Sequence, residues 1–388
     1  MSSALDFLAW NLHNKAMATS NILDYLRWRG DLTLAQDSFN SVDNLLFSTL
    51  AYLPFSKVCA PAERITLDSL ALRFQSLPLE PGDDPRNRQQ LEAMGKSRRF
   101  GSMQVFGCHE EFSEAQEKQY ASFAIDTGYG ATCLSYRGTD TSLVGLKEDF
   151  NMGFLSVIPG QVTAAKYLVE IAAHTKGPLL LVGHSKGGNL AVYAAMHAPT
   201  ELKKRIIAVY NNDGPGFEQS VLDSDGYHSV LDRVHTFVPQ SSIVGMLLNH
   251  AERYTVVHST QSGGIMQHDP YTWEVIGNNF ICNSDVDLPA KYFDRTLKNW
   301  LSEVSPTQRG QFIDTVYRLF FNANIRSINQ IQRHWFLTSK ALVMEIKDLD
   351  KDTRRMLLST VEALFSSAHA VALDFSRRPQ ALPDLKQH

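Results

Sequence analysis

Gly177-Pro178-Leu179-Leu180-Leu181-Val182-Gly183-His184-Ser185-Lys186-Gly187-Gly188-Asn189-Leu190-Ala191-Val192-Tyr193-Ala194-Ala195 is the stretch that decides how this chain is read. A short apolar run leads into Gly-His-Ser-Lys-Gly, and an Ala-rich helical pattern follows without a gap. Strand, Gly-x-Ser-x-Gly, then helix is the order a nucleophile elbow requires. The serine of such a turn is strained, so glycine is needed two positions to either side, where strand and helix come closest. A helix starting near Lys186 also aims free backbone N–H groups at any oxyanion formed beside Ser185. The competing reading is a tight βα turn with serine as a helix cap. A cap needs one small polar residue, not Gly183 and Gly187 together with a third glycine at 188.

Composition narrows the setting. At 388 residues the chain has ample material for a core, as one large domain or two to three smaller ones. It is 44% hydrophobic and 20% charged with a net charge of -4, a balance that argues against nucleic acid as the main partner. Cys59, Cys108, Cys133 and Cys282 are widely spaced, without a Cys-x-x-Cys or a companion histidine spacing. Reduced thiols are therefore expected, not zinc or a disulfide framework. Met1–Trp10 lacks the basic and long apolar regions of a signal peptide, and no stretch approaches the ~20 apolar residues that span a bilayer. The expected location is the cytoplasm.

Outward from the elbow, the pattern predicts an α/β fold with three parts: a helical N-terminal segment and possible lid (1–100), an α/β core (101–287) and a helical extension (288–388). Ser20-Asn21 can cap a helix through Ile22, Leu23, Tyr25 and Leu26 to near Gly30, and a second apolar helix starts at Ser41. A helical patch covers Leu67–Phe74, and residues 78–85 read as an exposed excursion. Gln119–Asp126 and Ala131–Tyr136 read as a hairpin around Thr127-Gly128-Tyr129-Gly130. A helix over about Gly160–Thr175 precedes the elbow strand, and strands follow at Arg205–Asn211, Arg233–Val238 and Tyr254–Ser259. This alternation predicts a largely parallel sheet. Beyond Leu288 the pattern is helical, with Ser305-Pro306 as an N-cap and N1 pair and a last apolar helix at Val361–Leu373.

A serine hydroxyl is a weak nucleophile until an imidazole takes its proton, and the imidazole needs a carboxylate to fix its tautomer. Around a nucleophile elbow these partners follow the serine in the order acid, then histidine. His197 lies on the helix leaving the elbow, His228 in a polar turn and His235 within a strand. His250 and His258 are possible, but neither sits in a loop just past the final strand. His268 does, in Gly263-Gly264-Ile265-Met266-Gln267-His268-Asp269-Pro270, where the chain returns to the carboxyl edge of the sheet. The segment after Arg233–Val238 holds no Asp or Glu before Asn249. Asp213, in Asn212-Asp213-Gly214-Pro215-Gly216, lies at a carboxyl edge and is the candidate acid, with an Asx-turn as the alternative role. Asp269 adjoins His268 too closely in sequence to orient it well. The oxyanion donors are expected from the backbone of Thr139, in Arg137-Gly138-Thr139, and of Lys186. Arg137 and Asp149 read as a salt bridge bracing that loop, and the Lys186 side chain as a solvated lysine at a helix start or, alternatively, a bias toward anionic substrates.

These residues resemble the class 3 lipases: Arg137-Gly138-Thr139 is similar to their Arg-Gly-Ser/Thr loop and Gly183-His184-Ser185-Lys186-Gly187 to their Gly-His-Ser-x-Gly elbow. A bacterial family of lipase-like α/β-hydrolases of unassigned function is more similar still. It shares Arg137–Asp140, Glu148-Asp149-Phe150, Gly183–Asn189, Asn212–Gly216, Pro239–Gly245 and Gln267-His268-Asp269. One departure stands out. Class 3 lipases carry their acid in an Asp-x-Val-Pro-like segment after the later strand, where this chain has Ser241-Ser242-Ile243-Val244. Asn212–Gly216 instead resembles the acid loop of pancreatic-type lipases, which supports Asp213. The resemblance implies an α/β-hydrolase fold and a Ser185–His268–Asp213 serine hydrolase forming an acyl-enzyme from a small-molecule ester or acyl-lipid, without metal or organic cofactor. Ile243–Leu248 and residues 60–100 are candidate pocket walls or lids. A thioesterase or acyltransferase would use the same groups. A catalytically silent hydrolase fold used for lipid binding or protein interaction is the alternative, motivated by the missing acid after the later strand.

Overall fold

The computed structural model describes residues 19–60, 62–80, 82–139, 145, 147–148, 151–152, 157–322, 346–347 and 349–377. The chain enters through two helices with matching starts. In α1 (Ile22–Arg29) and α2 (Ser41–Leu50), Asn21 and Asn40 cap the first turn while Asp24 and Asp43 reach back to the cap backbone. Nine of the ten residues of α2 are buried, because the helix lies directly on the central sheet. Its Asp43 takes a hydrogen bond from Arg99 Nε at 2.9 Å, with both side chains fully buried. This ties α2 to the end of the segment that holds α3 (Leu67–Gln75) and α4 (Pro85–Lys96).

The sheet has nine strands in the order β1-β2-β3-β4-β5-β6-β7-β8-β11. They are β1 (Ile65–Thr66), β2 (Gln104–Ser113), β3 (Lys118–Asp126), β4 (Thr132–Tyr136), β5 (Leu179–His184), β6 (Ile206–Asn212), β7 (Val234–Pro239), β8 (Tyr254–Val257) and β11 (Cys282–Asn283). A small hairpin of β9 (Val275–Ile276) and β10 (Asn279–Phe280) stands beside it. The expectation of a largely parallel sheet needs correcting to a mixed one. The run β4–β8 is parallel, but β1–β2, β2–β3, β3–β4 and β8–β11 pair antiparallel. Connection length explains the change from the antiparallel run β2–β4 to the parallel pairs that follow. Residues 114–117 and 127–131 are too short for anything but a reversal, whereas α5 (Pro159–Ala173) and α6 (Lys186–His197) give β4–β5 and β5–β6 the crossovers that parallel pairing demands.

Both faces of the central strands are covered, so β5 is apolar without alternation. Leu180 and Val182 pack toward α1–α4, and Leu179 and Leu181 toward α5 and α6. The C-terminal helices α7 (Leu288–Glu303) and α8 (Pro306–Asn322) pack against α9 (Lys351–Arg377). Ser305 and Gln308 exchange hydrogen bonds at the start of α8. No described helix is long and apolar enough to cross a membrane.

Candidate active site

Ser185 sits between β5 and α6 with φ 59 and ψ −137, a left-handed conformation that a non-glycine residue adopts only when its surroundings enforce it. The neighbours do so. A Cβ on Gly183 would lie 2.1 Å from the Gly187 carbonyl carbon, and one on Gly187 would lie 2.0 Å from Tyr136 O. Gly138, from the loop after β4, comes so close that a Cβ there would meet Ser185 Cβ at 2.9 Å. Ser185 N–H donates to Asn212 O at 2.9 Å, locking the turn to the end of β6.

From that strand end the chain continues into Asp213, itself at φ 51 and fully buried. Asp213 N–H donates to Phe237 O at 2.7 Å, and Gly214 N–H to Asn211 Oδ1 at 2.9 Å. The carboxylate therefore points across the ends of β6 and β7. Its Oδ2 accepts His268 Nδ1–H at 2.7 Å. Its Oδ1 accepts the hydroxyl of Ser242 and the N–H of Gly245, the latter at 3.1 Å. Ser242, in the segment after β7, thus bonds a carboxylate at the end of β6. Asp269 turns away from His268's ring to Arg86, 2.8 Å from Oδ2, and caps Tyr271 N–H.

A general base must leave one ring nitrogen available. His184 uses both: Tyr52 Oη donates to Nδ1 and Nε2 donates to His268 O, each at 2.9 Å. Burial, reinforced by the neighbouring His268, holds its pKa well below the ordinary value. It lies beneath the His268 ring with centroids 4.6 Å apart. His250 also uses both nitrogens. His197 bonds and stacks within its own helix, against Tyr193, and His235 stacks on Tyr210. His228 closes the helical turn Asp225–His228. His258 pairs with Glu274 just past β8, three strands from the elbow, roughly 14 Å at ordinary strand spacing. His268 Nε2 and Ser185 Oγ carry no hydrogen bond among the described residues, to each other or elsewhere. Such bonds are often long before substrate binds.

The charged residues near the elbow differ from expectation. Lys186 is no solvated lysine: it is fully buried, 2.7 Å from Glu148 Oε2 and donating to Gln119 O. Glu148 also accepts the N–H groups of Gln119 and Gly160, so this carboxylate joins β3, α5 and α6. Arg137 pairs with Glu110 at 2.8 Å, and Asp149 lies outside the described residues. Thr139 is half-buried, directly after the close contact of Gly138 with the elbow. Asn189, in the first turn of α6, donates to Pro215 O and Gly216 O and accepts from Gln161, fastening the acid loop to the elbow helix.

The sequence reading missed His184, Tyr52, Ser242 and Gly245 as the groups that surround His268 and Asp213. Only the Ser-Ser at 241–242 offered a signal. Of the candidate pocket walls, Leu247 and Leu248 of the Ile243–Leu248 segment line a cavity, and residues 60–100 do not. Leu247 and Leu248, Met152 and Pro215 line an apolar cavity of about 260 Å³ that α7, α8 and α9 close with Phe293, Leu297, Trp300, Phe312 and Ile313 among others.

The architecture is similar to that of the crystal structure of M37 lipase, with a TM-score of 0.39 and 17% identity, covering 55% of this chain and 71% of that one. No curated protein matches the chain. Residues 94–318, more than half of the sequence and including the elbow, the acid loop and the histidine loop, match the Mbeg1-like family, and the chain belongs to that family.

Proposed function

We propose that the protein is a serine hydrolase that cleaves carboxylic esters with an apolar acyl part. The observation that carries the reading is the 2.7 Å bond between His268 Nδ1 and buried Asp213, which leaves Nε2 without a hydrogen bond among the described residues, together with the strained backbone of Ser185. Ser185 Oγ attacks the ester carbonyl while His268 Nε2 takes its proton. The backbone N–H groups of Thr139 and Lys186 hold the oxyanion; one such donor is typically worth about 10²–10³ in kcat. The imidazolium, stabilised by Asp213, gives its proton to the leaving alkoxide. Water then attacks the acyl-enzyme by the reverse route, releasing the acid and restoring the serine.

The apolar cavity supports an acyl chain as the part of substrate that is recognised, because Pro215 lines it two residues from Asp213. An acid paired with the histidine favours an enzyme over a silent fold. A fluorophosphonate probe tests this: Ser185 is expected to be labelled, and Ser185→Ala to abolish labelling. A folded protein that resists the probe would refute the reading.

A further inference from the structure

Asp213 does not hold its position alone. Its Oδ1 is bound by the 242–245 turn, and the far side of that turn is fastened by a second histidine. His250 Nε2 donates to Gly245 O at 2.8 Å, and Nδ1 donates to Glu252 Oε1 at 3.0 Å. The two side chains are only 8% and 4% exposed. A neutral imidazole has one N–H and cannot donate to a carbonyl and a carboxylate together; an imidazolium can. Glu252 supplies the countercharge. Burial pushes its carboxyl up, but His250, Thr236 Oγ1 and Tyr227 Oη outweigh that and bring it down to about 2. Tyr227, from the turn Asp225–His228, and Glu252 are the titratable groups that contact this network among the described residues. Neither His250 nitrogen is open to a substrate, so the pair cannot be a second base.

We propose that His250, charged and anchored by Glu252, is a positioning residue for the acid. It grips Gly245 by the carbonyl so that the N–H of the same residue stays on Asp213 Oδ1, leaving Oδ2 aimed at His268. The spacing is tight enough for this to matter, since a Cβ on Gly245 would lie 2.3 Å from Asp213 Oδ1. Two carboxylate–histidine pairs thus act in series, Glu252–His250 setting the turn and Asp213–His268 facing the serine. The inference rests on the Ser185–His268–Asp213 reading.

Two measurements on the full chain test it. The first is a double-mutant cycle on p-nitrophenyl ester hydrolysis. His250→Ala is expected to lower kcat about tenfold with KM little changed, but to cost less than about twofold in an Asp213→Asn background. His250→Gln, whose amide still donates to Gly245 O, is expected to recover part of the loss. Equal losses in both backgrounds would mean a general structural role and would overturn the proposal. The second needs no turnover. In protein with ¹⁵N-labelled histidine at about pH 7, both His250 ring nitrogens should be protonated. The hydrogen-bonded Nδ1–H of His268 should weaken in His250→Ala and in Glu252→Gln, so one poorly folding variant leaves the other. A singly protonated His250, or an unchanged His268 signal in both variants, would overturn it as well. If the coupling is present while the wild type neither hydrolyses esters nor takes the fluorophosphonate, the hydrolase reading fails and the positioning relation stands.

Discussion

His268 Nδ1 and Asp213 Oδ2 meet at 2.7 Å across 55 residues of chain, whereas Asp269, its immediate neighbour, bonds Arg86 instead. Chain geometry accounts for the choice. Asp213 leaves the end of β6 and faces the returning loop, while adjacent side chains diverge from a shared backbone. Asp213→Asn should therefore lower kcat by about 10³–10⁴, because the amide favours the wrong imidazole tautomer. Asp269→Asn should stay within about threefold of wild type, since it loses only a half-exposed ion pair. Steady-state ester hydrolysis compares them, and the reverse ranking would move the acid to Asp269.

The neutral His184 under the His268 ring has a consequence for stability. Its folded-state pKa is depressed by burial, and the unfolded value is about 6.5. Below that pH the unfolded chain binds a proton that the folded chain refuses, so the stabilisation present above pH ~6.5 is lost as pH falls, by up to about 1.4 kcal/mol per pH unit from this group. His184→Phe keeps a ring against His268 and should flatten that part of the curve. Urea midpoints between about pH 5 and 7 measure it; an unchanged slope would place the titration elsewhere. Neutrality also suits the chemistry proposed for His268, which would take up a proton without a like charge beneath it.

Lys186 follows the serine but faces the core. Replacing it with methionine leaves Glu148 buried without its cation, which should cost about 3–5 kcal/mol in a denaturant titration. At temperatures where the variant stays folded, its preference between neutral and anionic esters should match wild type. A stable variant with altered charge preference would mean that the ammonium reaches substrate.

What was legible in the sequence is what is encoded locally. Gly183, Ser185 and Gly187 specify the elbow within five residues, and Asn21 and the glycines at 128 and 130 mark a helix start and a hairpin where they occur. β2 was not, because Gly107 at φ 61 and the irregular register between Phe106 and His109 break the alternation that announces a strand. α4 hid for another reason: beside Leu91 and Met94 it buries Asn87 and Gln90, which bond Tyr271, so its inner face is only half apolar in sequence. The partner of Lys186 lies 38 residues upstream, and the hydrogen bond from Ser242 to Asp213 spans 29. No periodicity reports contacts of that kind. Chain order, a place at a strand's carboxyl edge and the likeness of its loop to that of pancreatic-type lipases argued for Asp213, and the tertiary fold supplies its 2.7 Å bond to His268.

The apolar cavity beneath α7–α9 yields a prediction about selectivity. Its lining comes from Pro215, two residues past Asp213, from the turn that follows Gly245 (Leu247, Leu248) and from the C-terminal helices (Leu297, Phe312, Ile313). A volume of about 260 Å³ equals some eight or nine water-sized groups at ~30 Å³ each, which suits a medium acyl chain. Leu297→Trp adds bulk from α7 without touching Ser185, His268 or Asp213. Across p-nitrophenyl esters of graded length it should shift the optimum toward shorter chains, with little change for acetate. Each methylene excluded from the cavity forfeits about 0.8 kcal/mol of burial, close to fourfold in kcat/KM. An unchanged chain-length profile in a folded Leu297→Trp variant would place the acyl chain outside this cavity, while the serine chemistry would be unaffected.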